Sequence, residues 1–254
     1  FGSPAPFIRS AARAVRIGGV IAATATDEPP LFGIKPRKLL RMYGVWGFKT
    51  DYHKEFGLRA LMGFVVRELA MLDLSARPIF SHITKHYVRA YFAIERGAER
   101  AKALMREMMG WILHCSNCLH REILQDMFQI PTLKKCPSCG SMTSLLGPVW
   151  IGPLLDEEFS SRLPDLLPEE SWAYGESREI VERVLGEANA PPLYYSIPIL
   201  SSLLGLSPPK TIEVVEALRE LGYSAVISHI DNRLVKTDAP AWEVKNVISS
   251  LRGK

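Results

Sequence analysis

The sequence predicts an α/β fold that ends in two smaller parts, a four-cysteine zinc-binding segment and an α+β, winged-helix-like module. Three observations predict it. A helix, a glycine turn and a short apolar strand open the chain, the order found in α/β domains with a parallel sheet. Four cysteines stand in two C-x-x-C pairs near the middle. The C-terminal stretch then reads helix, helix, hairpin. With 254 residues, 47% hydrophobic and 23% charged, the chain is globular in composition, which excludes disordered, collagen-like and disulfide-scaffold classes.

Each element has a local cause. Ser3 suits an N-cap and Pro4 the first helical position, and Ile8, Ala11, Ala12 and Val15 repeat at helical spacing up to Gly18-Gly19. Val20–Thr24 is almost wholly apolar, as a strand buried on both faces would be. Asp27–Thr50 carries three prolines and reads as a long loop holding Lys35, Arg37, Lys38 and Arg41. In Phe56–Leu72, the side chains Leu58, Leu61, Val65, Leu69 and Leu72 line one side of an amphipathic helix. Pro78–Thr84 and Tyr87–Ile94 read as two strands closing the sheet antiparallel, and Ala98–Met109 as a helix. Arg178–Glu187 is helical in pattern, and Pro191-Pro192 marks a linker. Ile197–Leu204 ends at Gly205, and Ser207-Pro208-Pro209 starts a helix with Ile212, Val215, Leu218 and Leu221. Tyr223–Ile230 then alternates like a strand before an Asp231-Asn232 turn. Winged-helix-like modules often bind nucleic acid, and also serve as packing domains.

Charge is uneven. Residues 1–50 hold eight Lys or Arg against two Asp or Glu, whereas residues 151–190 hold three against ten. The basic first half suggests a polyanionic partner, nucleic acid first, with a merely solvated basic surface as the other reading. The acidic stretch reads as a spacer kept off phosphates. Leu61–Leu72 is broken by Arg67 and Glu68, so no run approaches the ~18 apolar residues of a membrane span, and no membrane partner is expected. The chain opens on Phe1 and reads as a fragment.

Cys115-Ser-Asn-Cys118 and Cys136-Pro-Ser-Cys139 are separated by seventeen residues, within the window of a four-cysteine zinc site. Each C-x-x-C turn aims two thiolates at one point, and two turns complete a tetrahedron. A shell of four thiolates leaves no open position, so this zinc would fold the chain, not catalyse. His114 and His120 stand beside the first pair, but the four-cysteine set is complete without them. A reducing compartment, the cytoplasm, is expected. There is no Walker sequence, no G-x-G-x-x-G and no visible Ser-His-Asp set. Lone histidines such as His229 read as surface or satisfied residues, and Glu55 with Arg59 as an intrahelical pair.

Phe1-Gly2-Ser3-Pro4, set just before a helix and a strand, resembles the end of the Asp-Pro-Phe-Gly-Ser-Pro motif of the tRNA guanine-26 N2-dimethyltransferases, the Trm-one family. Other stretches are similar to the same family in the same order. They include Thr24-Ala25-Thr26-Asp27, Arg41-Met42-Tyr43-Gly44, Lys54-Glu55-Phe56-Gly57-Leu58-Arg59 and His86-Tyr87-Val88-Arg89. Further along come Gly147–Leu154, Ser207-Pro208-Pro209-Lys210 and Lys236-Thr237-Asp238-Ala239-Pro240. The resemblance covers nearly the whole chain.

It implies that residues 1–97 are the second half of a class I, Rossmann-like methyltransferase sheet, residues 98–160 the zinc-binding segment and residues 161–254 the winged-helix-like domain. The cofactors implied are S-adenosylmethionine and Zn²⁺, and the partner is tRNA. The cofactor pocket and the catalytic aspartate would lie upstream of Phe1, so this chain alone is expected to be inactive. A half-sheet would also expose an apolar edge and face and be poorly stable. The chemistry implied is methyl transfer to the exocyclic amine of an extruded guanine, its lone pair held towards the sulfonium. Phe1 would stack on that base, or serve as a strand-end core residue. Gly2 would admit close approach, and Ser3 and Pro4 complete the motif. Lys35, Arg37, Lys38 and Arg41 are the candidate tRNA-phosphate contacts, with Arg13 and Arg16 weaker ones. A non-catalytic, zinc-stabilised RNA-binding module is the alternative.

Overall fold

The computed structural model describes residues 2–129, 132–169 and 174–252. The chain begins with a 3₁₀ turn, Ala5–Phe7, and α1, Ile8–Ala14. Ser3 is not the N-cap that the sequence suggests; Pro4 holds that place, and the Ser3 hydroxyl accepts instead from the Ala5 amide at 3.2 Å. Next come β1, Val20–Ala25, the short α2, Glu28–Leu31, and α3, Pro36–Tyr43. The expected loop over 27–50 is thus half helical. Its prolines sit in the first turns of α2 and α3, where a missing amide costs nothing.

Helix α4, His53–Ala70, leads to the hairpin of β2, Leu74–Thr84, and β3, Tyr87–Arg96. The sheet order is β1-β3-β2 with antiparallel pairing throughout. The expected parallel neighbour is therefore absent among the described residues. A two-residue turn forces β3 back beside β2, and β3 then fills the space between β2 and β1. Strand β1 buries Ile21, Ala23 and Ala25 but exposes Val20 and Ala22, so one face is covered where the apolar run suggested two.

Helix α5, Ala98–Met108, opens a second sheet of β4, Met109–His114, β5, Arg121–Gln125, and β6, Ser144–Trp150, in the order β5-β4-β6. Helix α4 is wedged between the two sheets and is buried almost all round, where its leucines suggested one buried side. Gly63 makes this possible: a Cβ there would lie 2.9 Å from Met109 Cε and 3.0 Å from the Trp150 amide nitrogen. One apolar core runs through both sheets, from Ile21 and Leu61 to Leu146 and Trp150.

The acidic stretch contains α6, Glu157–Ser160, α7, Leu163–Leu166, and α8, Tyr174–Leu185. It is not a free spacer. Leu155, Val181 and Val184 pack against Phe80 of β2, and Glu157, Glu158, Asp165, Glu176, Glu179 and Glu182 form the outer side of the docked segment, whereas Glu187 is buried.

The C-terminal part comprises β7, Tyr195–Ser196, α9, Ile197–Leu203, α10, Thr211–Glu220, β8, Ala225–Ile227, β9, Leu234–Thr237, and α11, Ala241–Arg252. Its sheet runs β7-β9-β8, and it has its own core of Leu200, Val214, Leu218, Val235, Val244 and Ile248. Helix α11 goes beyond the helix–helix–hairpin expectation. Among the described residues no helix is long and apolar enough to cross a membrane.

Candidate functional site

The end of β1 gathers three of the sequence motifs. The Gly2 carbonyl accepts from the Thr26 amide at 2.8 Å, and Gly2 has φ +72°, a conformation glycine adopts without strain. Ser3 Oγ lies 2.7 Å from the Tyr43 hydroxyl, which donates to Asp27 Oδ1 at 2.8 Å. Burial pushes the Tyr43 phenol well above its usual range, so it stays protonated and donates. The Ser3 hydroxyl then donates to the Tyr43 oxygen while accepting from Ala5. Burial also raises Asp27, against the lowering by Tyr43 and by the charge of Lys38. Asp27 Oδ2 is shielded from solvent and has no hydrogen-bond partner among the described residues. Pro4 follows as the cap of the first turn. Phe1, the expected stacking residue, lies outside the described residues.

Of the four basic candidates, Lys35, Arg37 and Lys38 line one open recess with Pro36 and Trp46. Arg41 is exposed on the same helix but is not part of that lining. None of the four lies within salt-bridge distance of a carboxylate among the described residues. Sequence reasoning missed Asp27, Tyr43 and Trp46 as site residues. The first two stand inside quoted motifs, and the signal for Trp46 is an aromatic residue just after a basic run.

The four cysteine sulfurs lie within 4.8 Å of one another, with Cys115–Cys139 and Cys118–Cys136 each at 3.5 Å. Cys115 directly follows β4 and Cys118 sits in the turn to β5. Cys136 and Cys139 belong to a small turn held by the Cys136 amide to Ser141 and the Gly140 amide to Cys136. Sulfurs at the corners of a tetrahedron around a cation ~2.3 Å from each would be spaced about this far apart, so the set could hold a metal ion. Neither neighbouring histidine belongs to the group. His120 lies between Glu122 (3.2 Å) and Ser138 (3.3 Å), bridging the two turns. Burial pushes His114 down to about 4, and its ring packs edge-on against Tyr52.

A second cluster is charged and buried. Arg59 Nε donates to Glu55 Oε1 at 2.9 Å, and its guanidinium reaches the carbonyls of Trp150 (3.2 Å) and Gly152 (2.8 Å). Lys236 Nζ lies 3.2 Å from Glu55 and 2.8 Å from Glu187, and His229 Nδ1 lies 3.0 Å from Glu187. The intrahelical pair is thus one corner of a larger network, and His229 is buried against a carboxylate. Three resembling motifs, at 54–59, 147–154 and 236–240, meet here. All five side chains are buried, and the cluster is an internal lock.

Comparison with known proteins places this architecture. The family model for N2,N2-dimethylguanosine tRNA methyltransferases matches residues 1–249. The tRNA (guanine(26)-N(2))-dimethyltransferase of Methanothermobacter thermautotrophicus is 35% identical over 252 residues, covering 99% of this chain and 66% of that protein. That of Archaeoglobus fulgidus is 36% identical, covering 99% and 68%. The structure of Trm1 from Pyrococcus horikoshii with S-adenosyl-L-methionine superposes with a TM-score of 0.86 at 30% identity, covering 98% of this chain and 64% of that one. The chain therefore spans about two thirds of the length of these relatives. It belongs to the N2,N2-dimethylguanosine tRNA methyltransferase family.

Proposed function

We propose that this chain is the substrate-base, metal-binding and C-terminal portion of a tRNA guanine-26 N2-dimethyltransferase. The single observation that carries the reading is the junction of Gly2, Ser3, Tyr43 and Asp27 at the end of β1. The residues that would face the guanine are tied there to two other segments. S-adenosylmethionine, when bound, supplies an electrophilic methyl group, and the residues of its pocket are expected upstream of Phe1. What this chain does is hold the base. Phe1 stacks on it, Gly2 lets the backbone approach, and Ser3 fixes Tyr43, which orients Asp27. Asp27 Oδ2, without a partner among the described residues, would accept a guanine N–H once the chain end over it moves aside for the base. Lys35, Arg37, Lys38 and Arg41 take tRNA phosphates. Zinc in the Cys115, Cys118, Cys136 and Cys139 site is structural.

The three parts 1–97, 98–160 and 161–254 are read as half-sheet, metal segment and winged-helix-like domain. The strand–helix–helix–strand–strand order of β7 to β9 supports the last. The test is methyl transfer from labelled S-adenosylmethionine to unmodified tRNA by the protein extended upstream through a cofactor-binding half. A tRNA with adenine at position 26 and the chain alone serve as controls. Dimethylguanine formed by the extended protein, and lost with adenine at 26, is expected. A folded, cofactor-binding protein that transfers nothing would leave the non-catalytic RNA-binding module as the better account.

A further inference from the structure

Trp46 is half exposed although its backbone is held on both sides. Its amide and carbonyl both pair with Gly147 of β6, at 2.8 Å each. On its N-terminal side the carbonyls of Tyr43 and Gly44 accept from the Arg67 guanidinium, and Val45 is fully buried. On its C-terminal side Gly47 is pressed on the Phe56 ring: a Cβ there would lie 2.3 Å from Phe56 Cζ. Such a backbone cannot swing to bury the indole. The side chain lines an open recess of about 500 Å³ with Lys35, Pro36, Arg37 and Lys38. The three cations of that recess have no carboxylate within salt-bridge distance among the described residues.

We infer that Trp46 is a stacking platform for an unpaired nucleobase of the tRNA, with the adjoining phosphates taken by Lys35, Arg37 and Lys38. The inference rests on the tRNA reading above and adds to it a base-binding subsite apart from the strand end where the target guanine would sit. Three reasons support it. An aromatic face among cations that have no salt-bridge partner among the described residues suits a ligand that is itself alternately planar and anionic. A platform already fixed by two strand hydrogen bonds loses little freedom when a base settles on it. The same strand pairing joins the platform to the metal-bearing sheet, so a base held here is registered against the whole lobe.

The experiment is a fluorescence and affinity titration of this chain with unmodified tRNA, a single-stranded RNA, and heparin as a polyanion without bases. Both RNAs should quench a signal that is missing from Trp46→Phe, and heparin should bind without quenching it. Trp46→Leu keeps apolar bulk but no aromatic face, and should weaken RNA binding about 5- to 150-fold, whereas Trp46→Phe should stay within about threefold of the parent. The salt dependence separates the two kinds of contact. Replacing Lys35, Arg37 and Lys38 by alanine should flatten the slope of log K against log salt by about 2 to 3, and Trp46→Leu should leave it unchanged. RNA binding by Trp46→Leu at parental strength, with the lysine and arginine variant weakened, would overturn the platform and leave the tRNA reading standing. No binding of tRNA by the parent chain would overturn both.

Discussion

Asp51 and Glu187 are both buried carboxylates, and their surroundings push them in opposite directions. Burial lifts Asp51 to about 6, because its one cationic neighbour, Arg121 at 3.5 Å, is also committed to the Tyr194 carbonyl and to the faces of Tyr52 and Tyr195. Burial would raise Glu187 as well, but His229 and Lys236 overcome it and hold Glu187 far below the carboxylate range. The consequences for stability differ in sign. Glu187 is depressed, so its contribution is complete above its unfolded value of ~4.3 and fades as pH falls towards the folded one. Asp51 is raised, so the folded state holds its proton longer than the unfolded state does. Stability therefore declines as pH rises from about 4 to 6. Asp51→Asn removes that decline. Its denaturation free energy should be flat across this window apart from other groups, and at pH 7.5 should equal or exceed the parent's by up to about 3 kcal/mol. A loss of more than about 1 kcal/mol at pH 7.5 would show that Asp51 contributes as an ion-pair partner of Arg121.

At the scale of elements, the clustering of the four cysteines was legible because its cause is local: each C-x-x-C turn sets two thiols side by side whatever the rest of the chain does. The hairpin read as Pro78–Thr84 and Tyr87–Ile94 was legible for the same reason, its turn being two residues long, but its first strand begins four residues earlier, at Leu74, before an irregularity at Pro78 that hid the start. Helix α4 was legible as a helix but not as a buried wedge. Periodicity reports the side that is apolar, while its second buried side rests on Gly57 and Gly63, whose missing side chains admit neighbouring groups. The acidic segment was misread because charge is visible in composition, whereas Leu155, Val181 and Val184 acquire a partner only when β2 is beside them. The metal turns also reach further than their spacing shows. The Cys118 carbonyl accepts from Lys245 of α11 at 2.8 Å, and Leu119 is buried in the C-terminal core. Metal removal should therefore loosen two elements, one of them remote in sequence. If zinc fills the four-cysteine site as proposed, chelation or Cys136→Ser should release it, a site of this kind contributing on the order of 10 kcal/mol. Amide exchange should then speed at least tenfold in 114–121, 135–142 and α11 together, read by mass spectrometry, with α4 unaffected. Unchanged exchange in α11 would show that the turn and the helix are independent.

For the whole molecule, the question is what makes three sheets one folding unit. Apolar packing joins the first two through α4; the C-terminal sheet has a core of its own, with Leu234 of β9 reaching into theirs and Leu119 into that of the C-terminal sheet. The charged cluster adds a polar bridge beside these contacts. Glu55 and Arg59 come from α4, the Trp150 and Gly152 carbonyls from the end of the second sheet, Lys236 from β9, and Glu187 from the turn after α8. His229 adds a contact to β2 through the Ile83 amide at 3.4 Å. The two carboxylates are met by Lys236, Arg59 and His229, and the worth of the cluster lies in specifying which surfaces meet. None of this was readable from spacing, since partners so far apart in sequence become neighbours only after the sheets form. Lys236→Met keeps the length of the stem and removes the charge, leaving Glu55 with Arg59 alone and Glu187 with His229. It should cost about 3–5 kcal/mol in urea denaturation at pH 7. The single transition should also split, with the C-terminal part melting first. Adding Glu187→Gln should recover part of that loss, because the second change removes the carboxylate the first one stranded. Strictly additive losses from the two changes would mean that the residues pack side by side without forming a lock, and the cohesion of the three sheets would have to come from the apolar contacts alone.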